Sequence, residues 1–179
     1  MKLRADRSVL CVIDVQERLV PAMADADRVV ARCLRLATAA TILGVPAILT
    51  EQYPKGLGPT VPSLAATLPS PLAKMSFSCC GAASFSGYLP GAPFACVLCG
   101  LETHVCVTQT AIDLREEGHD VFVVVDAVAS RHAIDHDVAL RRLEAAGIIL
   151  TTSESVLFEW CGTAEHPRFQ EVRRLVIDS

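Results

Sequence analysis

Residues 95–118 read ACVLCGLETHVCVTQTAIDLREEG. The first five form an unbroken apolar run, the pattern of a strand buried on both faces. Gly100 ends it, a helical pattern begins near Thr103 or His104, and after Glu117 a glycine stands where a C-cap belongs. The same strand-then-helix unit recurs along the chain. Strands are predicted at 9–15 (VLCVIDV), 45–50 (VPAILT) and 121–125 (VFVVV), with a fifth at 148–151 (IILT). Helical patterns fill 27–43 and 134–146, followed by Gly44 and Gly147. Such alternation with short links implies a parallel sheet, helices on both faces and right-handed crossovers. Ligands in these sheets bind beyond the carboxyl ends of the strands, so residues 14–17, 51–58, 100–106 and 126–131 are where function is sought.

The 179 residues fit a single domain spanning 1–179. Hydrophobic residues make up 51% and are spread along the length, which suits one packed core. A net charge of −4 and 5% aromatic residues give no electrostatic or stacking reason to expect nucleic acid or an anionic membrane as partner. No apolar stretch approaches the roughly 20 residues of a membrane span, and residues 1–7 lack an export signal; a cytoplasmic location is expected. The long interruption at 51–93, rich in Pro, Gly and Ser, reads as a functional loop. Residues 167–177 read as a short amphipathic helix with Phe169, Val172 and Val176 on one side.

Eight cysteines form no regular disulfide framework, and most lie in apolar runs where a free thiol packs as a small hydrophobe. Cys96 and Cys99 are spaced as a CxxC pair, yet on a strand they point to opposite faces. Cys106 differs, because it falls in the first turn of the helix that follows the strand. Unpaired amides and the positive dipole end there favour a thiolate and stabilise an oxyanion. Of sixteen basic side chains only Lys2, Lys55 and Lys74 are lysines. Lys74, within PLAKMSFSCC, has the compact ammonium and apolar flanks that suit it to steady a charged site. Asp14 ends the first strand, where a buried carboxylate needs a cation. Together the three make a workable nucleophilic set.

VIDVQ, the lysine of AKMSFS, and GLETHVCVTQTAIDL resemble the three signatures of the isochorismatase-like cysteine hydrolases, and the resemblance covers nearly the whole chain. TEQYPKGLGPTVPSL and VVVDAVASR resemble the narrower branch of isochorismatase domain-containing proteins. The resemblance implies a three-layer α/β/α sandwich around a mainly parallel six-stranded sheet. It implies a triad of Asp14 as proton acceptor, Lys74 as electrostatic partner and Cys106 as nucleophile. It also implies a cis peptide between Leu101 and Glu102, with the amides of Glu102 and Cys106 as the oxyanion hole. The activity implied is hydrolysis of an amide or ureido C–N bond in a small molecule through a thioester.

The metal-binding nicotinamidases of that family carry an Asp-x-His element after the second strand. Here the region reads TEQYPKGLGPT and has no histidine, so neither a metal nor another cofactor is expected. Gln16, Glu51, Gln52, Tyr53 and Phe77 are candidates for substrate contacts, with Ser130 and Arg131 as further ones. His104 lies two residues before Cys106, a spacing that does not bring side chains together on a helix. A homo-oligomer, dimer or larger, is expected by the same resemblance. The competing reading is a catalytically weak fold member serving as an oligomeric binding or scaffold module. A nucleotide-binding protein is disfavoured because no GxGxxG follows the first strand.

Overall fold

All six residues of β1 (Ser8–Ile13) are buried, as they must be in the middle of a sheet covered on both faces. The structure, a computed structural model, describes residues 1–89 and 94–177. After β1 come α1 (Ala26–Leu43), β2 (Ala47–Gln52), two single-turn helices, α2 (Pro54–Leu57) and α3 (Pro62–Ala65), and a short β3 (Leu72–Lys74). Then follow β4 (Ala95–Leu101), a π-helical turn (Thr103–Val107), α4 (Thr108–Glu116), β5 (Asp120–Ala129), α5 (Ala133–Ala145), β6 (Ile149–Thr151), α6 (Ser153–Cys161) and α7 (Phe169–Ile177). The six strands form one parallel sheet in the order β3-β2-β1-β4-β5-β6.

The two faces carry separate cores. Leu10, Val12, Val97, Cys99 and Val124 pack under α1, α6 and α7. Val9, Cys11, Cys96, Leu98 and Val123 pack under α4 and α5. Cys96 and Cys99 therefore do point to opposite faces, as their spacing on a strand requires. Within α7, Val172 is fully buried and Phe169 and Val176 pack partly against the first core. No helix among the described residues is long and apolar enough to cross a membrane.

Strand boundaries differ from the sequence expectation in instructive ways. β3 lies inside the stretch expected to be one long loop (the end of that stretch, residues 90–93, falls outside the described residues). It is an edge strand of three residues held by pairing with β2, too short to show periodicity. β5 runs to Ala129 past a register shift opposite Leu98–Gly100, and α6 was not foreseen. The shift sits at Gly100, whose φ of 128° and missing side chain are both needed: a Cβ there would lie 2.0 Å from the carbonyl oxygen of Ile13. β4 thereby runs tight against β1 up to the point where both chains turn into the site.

Candidate active site

Three non-glycine residues among those described have positive φ, and each immediately follows a strand. Asp14 (55°) follows β1, Tyr53 (39°) follows β2 and Glu102 (60°) follows β4. Left-handed backbone costs an L-residue about 1–2 kcal/mol and collects where side chains must be aimed. Here all three mark the carboxyl edge of the sheet.

Asp14 is fully buried, and both of its oxygens are engaged. Lys74 Nζ donates to Oδ2 at 2.7 Å, and Thr50 Oγ1 donates to Oδ1 at 2.7 Å. Lys74 ends β3 and reaches across β2 to make this contact. Its ammonium also donates to Gln52 Oε1 (2.8 Å) and to the carbonyl oxygen of Phe77 (2.9 Å), with the carbonyl of Ser76 more distant at 3.3 Å. An ammonium has three protons, so the short contacts exhaust it. Lys74 is fixed as a countercharge for Asp14.

Cys106 lies in the π-helical turn, closed by the wide bond from Val107 N–H to the Glu102 carbonyl (3.4 Å). Single π turns inside α-helices recur at functional sites. Burial pushes the Cys106 thiol well above the ordinary thiol range. The Asp14 carboxylate adds to this by repelling a thiolate and favouring the protonated thiol, while Lys74 pulls the other way. This corrects the expectation that the helix start would favour a standing thiolate. In a dry site beside a carboxylate, desolvation and like charge outweigh the turn's dipole. A second thiol, Cys79, sits in the same field. Its pKa is raised to about 11, by burial first, against the lowering effect of Lys74. Its N–H donates to Thr110 Oγ1, which in turn donates to the Cys106 carbonyl, so this segment is tied to the turn that carries Cys106.

The cis peptide expected between Leu101 and Glu102 is absent: no peptide bond among the described residues is cis. The left-handed conformation of Glu102 bends the chain there instead. Glu102 is buried, and its carboxylate accepts from Arg131 Nε at 2.6 Å. Its other oxygen is 3.2 Å from His104 Nδ1, an ion pair when that ring is protonated. His104 Nδ1 is also 3.0 Å from Ser130 Oγ, so the ring nitrogen is shared between the two.

The substrate-contact candidates divide into two groups. Gln16 is buried and committed: Nε2 donates to the carbonyls of Gln52 and Gly58, and Oε1 accepts from Gln52 N–H. Glu51 Oε1 accepts from the N–H and hydroxyl of Thr60. Gln52 binds Lys74 and donates to the Met75 carbonyl. The polar groups of these three are spent on the protein itself. Tyr53 and Phe77, 47% and 54% exposed, are free to meet a ligand. Thr50 was missed by the sequence reading, because a threonine inside an apolar strand carries no signal until its neighbour is known. No three His, Cys, Asp or Glu side chains among the described residues converge in a way that would hold a metal ion.

An isochorismatase domain matches residues 8–155. The chain belongs to the isochorismatase family. Isochorismatase domain-containing protein 2 of Danio rerio is 43% identical over 176 residues, covering 98% of this chain and 89% of that one. Among solved family structures, the MAR1 ribonuclease of Caenorhabditis elegans has 40% identity and a TM-score of 0.92, covering 99% of this chain and 93% of its own. YcaC from Pseudomonas aeruginosa, solved with hexane-2,5-diol and covalent acrylamide, has 26% identity and a TM-score of 0.90 (99% and 92%). YcaC of Escherichia coli, described as an octameric hydrolase of unknown specificity, has 26% identity and a TM-score of 0.87 (99% and 96%). The six-stranded parallel sheet flanked by helices is thus the isochorismatase-family hydrolase fold.

Proposed function

We propose that the protein is a metal-independent cysteine hydrolase that cleaves an amide or ureido C–N bond of a small molecule. The observation that carries this is the buried Lys74–Asp14 pair, whose carboxylate lies close enough to the buried Cys106 thiol to act on its charge. A thiol raised by burial calls for a base when substrate arrives, and that role is assigned to Asp14. Asp14 takes the proton as the Cys106 sulfur attacks the carbonyl carbon. The amides of Glu102 and Cys106 receive the oxyanion. Collapse breaks the C–N bond, Asp14 returns its proton to the leaving nitrogen, and ammonia or an amine departs. Water then attacks the thioester with Asp14 again as base. Lys74 supplies the countercharge that a buried carboxylate needs.

The covalent acrylamide on the P. aeruginosa relative supports a reactive group in this fold. The octameric E. coli relative supports a homo-oligomer. The ribonuclease name of the C. elegans relative raises a second reading, RNA cleavage. The net charge of −4, and the carboxylates Glu102 and Asp135 near the nucleophile's turn, argue against a polyanion there. The test is an ammonia-release screen over amides and ureides, with an RNA oligomer as a separate arm and Cys106→Ala as control. Release that vanishes in Cys106→Ala, with an acyl adduct on Cys106 by intact mass, is the expected result. Turnover surviving Cys106→Ala would refute the mechanism. A native protein silent on the whole panel would favour the scaffold reading.

A further inference from the structure

Thr103, the first residue of the π-helical turn, is fully buried. An ordinary α-helical turn would pair the Val107 N–H with the Thr103 carbonyl. Here that carbonyl takes both the N–H and the hydroxyl of Thr108, the latter at 2.6 Å, and Val107 reaches back to Glu102 across 3.4 Å. A bond that long is weak, so the wide turn depends on what grips it from outside. One grip is Thr110, which joins the Cys106 carbonyl to the Cys79 N–H. The other is His136 on α5, whose Nδ1 lies 3.0 Å from Thr103 Oγ1. The hydroxyl has no second partner among the described residues, and a buried hydroxyl proton needs an acceptor. This network puts the ring proton on Nε2 and leaves Nδ1 to accept from Thr103. Burial holds the ring below the ordinary histidine range, with Arg28 acting in the same sense and Asp137 opposing, so Nδ1 keeps its lone pair at pH 7.

Resting on the hydrolase reading, we propose that His136 is a positioning residue for the reaction. By holding the Thr103 hydroxyl it keeps the turn in its wide register, and so keeps the Cys106 sulfur and the amides of Glu102 and Cys106 aligned on one substrate carbonyl. Glu102 immediately precedes Thr103 and Cys106 follows it within the same turn, so slack at Thr103 reaches both sides of the oxyanion hole. The ring itself touches no reacting atom. Its effect passes through Thr103, and any side chain that offers an acceptor in the place of Nδ1 should serve instead. Asparagine does so with its amide oxygen, whereas leucine fills the space and offers no acceptor.

The test compares His136→Leu, His136→Asn, Thr103→Val and the double variant His136→Leu/Thr103→Val in ammonia release from the best amide or ureide of the screen. His136→Leu is expected to lower kcat about tenfold, inside the roughly hundredfold that a misplacement of about 1 Å costs, and to leave KM nearly unchanged. His136→Asn is expected to recover most of that loss. Thr103→Val should match His136→Leu, and the double variant should be no worse than either, because all three cut the same bond. An unchanged kcat in His136→Leu, an asparagine variant as poor as the leucine one, or losses that add in the double variant would overturn the proposal. The native protein gives a reading that needs neither a folded variant nor turnover: long-range proton–nitrogen NMR of the His136 ring. A ring protonated on Nε2 with a hydrogen-bonded Nδ1 supports the grip on Thr103. A ring protonated on Nδ1, or averaging between the two tautomers, overturns it. If the native protein releases no ammonia while the ring is protonated on Nε2, the hydrolase reading fails and the grip stands; iodoacetamide alkylation of Cys106 then reads the turn, altered in His136→Leu and restored in His136→Asn.

Discussion

The buried pair between Lys74 and Asp14 makes a sharp energetic prediction. The two groups meet at 2.7 Å with side chains 0% and 1% exposed, so neither can turn to water when its partner is removed. An exposed pair would contribute about 0.2–1 kcal/mol; breaking a buried one costs about 3–5 kcal/mol, because a bare charge stays behind. Lys74→Met keeps the length of the chain and removes the cation. It leaves Asp14 with only the Thr50 hydroxyl, and strips Gln52 Oε1 and the Phe77 carbonyl of their donor. Asp14→Asn leaves the opposite charge stranded, although Lys74 keeps its two amide-type acceptors. Each single change is therefore expected to lose about 4 kcal/mol, roughly a thousandfold in the unfolding equilibrium.

The double variant Asp14→Asn/Lys74→Met strands no charge, and its cost should resemble one single variant instead of the sum of two. The coupling expected is at least about 2 kcal/mol. Urea unfolding followed by tryptophan fluorescence and circular dichroism measures it. With a slope of about 1–3 kcal/mol per molar, each single variant should move the midpoint by more than about 1 M at unchanged slope. Single losses under about 1 kcal/mol, or losses that simply add, would show that the two charges do not depend on each other. The account of Asp14 and Lys74 as one mutually dependent pair would then fall.

Other consequences are open to direct measurement. Asp14→Asn removes the repulsion that helps to raise the Cys106 thiol, so thiolate absorbance of the native protein, differenced against Cys106→Ser, should appear at lower pH in that variant while hydrolysis is lost; a shift to higher pH would contradict the assignment. Thr50→Val deletes a hydrogen bond to a charged, buried oxygen and should cost about 1.5–3 kcal/mol in urea, with kcat falling more than KM rises. The thiols of Cys11, Cys79, Cys96 and Cys106 are all raised by burial, so the unfolded chain releases its thiol protons before the folded one does. Their contribution is complete below the unfolded thiol pKa of about 8.5 and is lost as pH rises above it; Cys96→Ala, whose thiol stands near 12, should flatten that loss by up to about 1.4 kcal/mol per pH unit. Gly100→Ala should fail to yield soluble protein, whereas Gly118→Ala, where a Cβ meets nothing within 4 Å, should fold with a loss of about 1 kcal/mol.

What could be read from the sequence follows from the range over which each signal acts. The β4–turn–α4 unit is local, and its strand, glycine and helix were all legible, as was the placing of Cys96 and Cys99 on opposite faces. β3 was not, since three residues on a sheet edge are defined by pairing with β2. Lys74 was singled out by its rarity and apolar flanks, while its grip on Asp14 depends on crossing β2, which no local pattern encodes. The roles of Gln16, Glu51 and Gln52 turned on where their amides and carboxylate were spent. The state of Cys106 was misjudged for a related reason: the dipole of a turn is a local property, but desolvation and the nearness of Asp14 are properties of the assembled fold.

The energetic costs in this molecule are not scattered. Left-handed Asp14, Tyr53 and Glu102, a buried ion pair, and a thiol pushed away from its reactive form all lie on one edge of the sheet. A buried pair replaced by apolar side chains is often no less stable, so stability does not explain why Lys74 and Asp14 are there. A turn at Glu102 without positive φ would be easier to build. The proposed hydrolysis would use what is gathered there, a carboxylate beside its countercharge and a thiol raised by burial. A standing thiolate would meet any passing oxidant or electrophile. On the proposed mechanism, a thiol whose proton leaves only as the new bond forms would be selective for a substrate held in register, and the left-handed turn at Glu102 would help to hold that register.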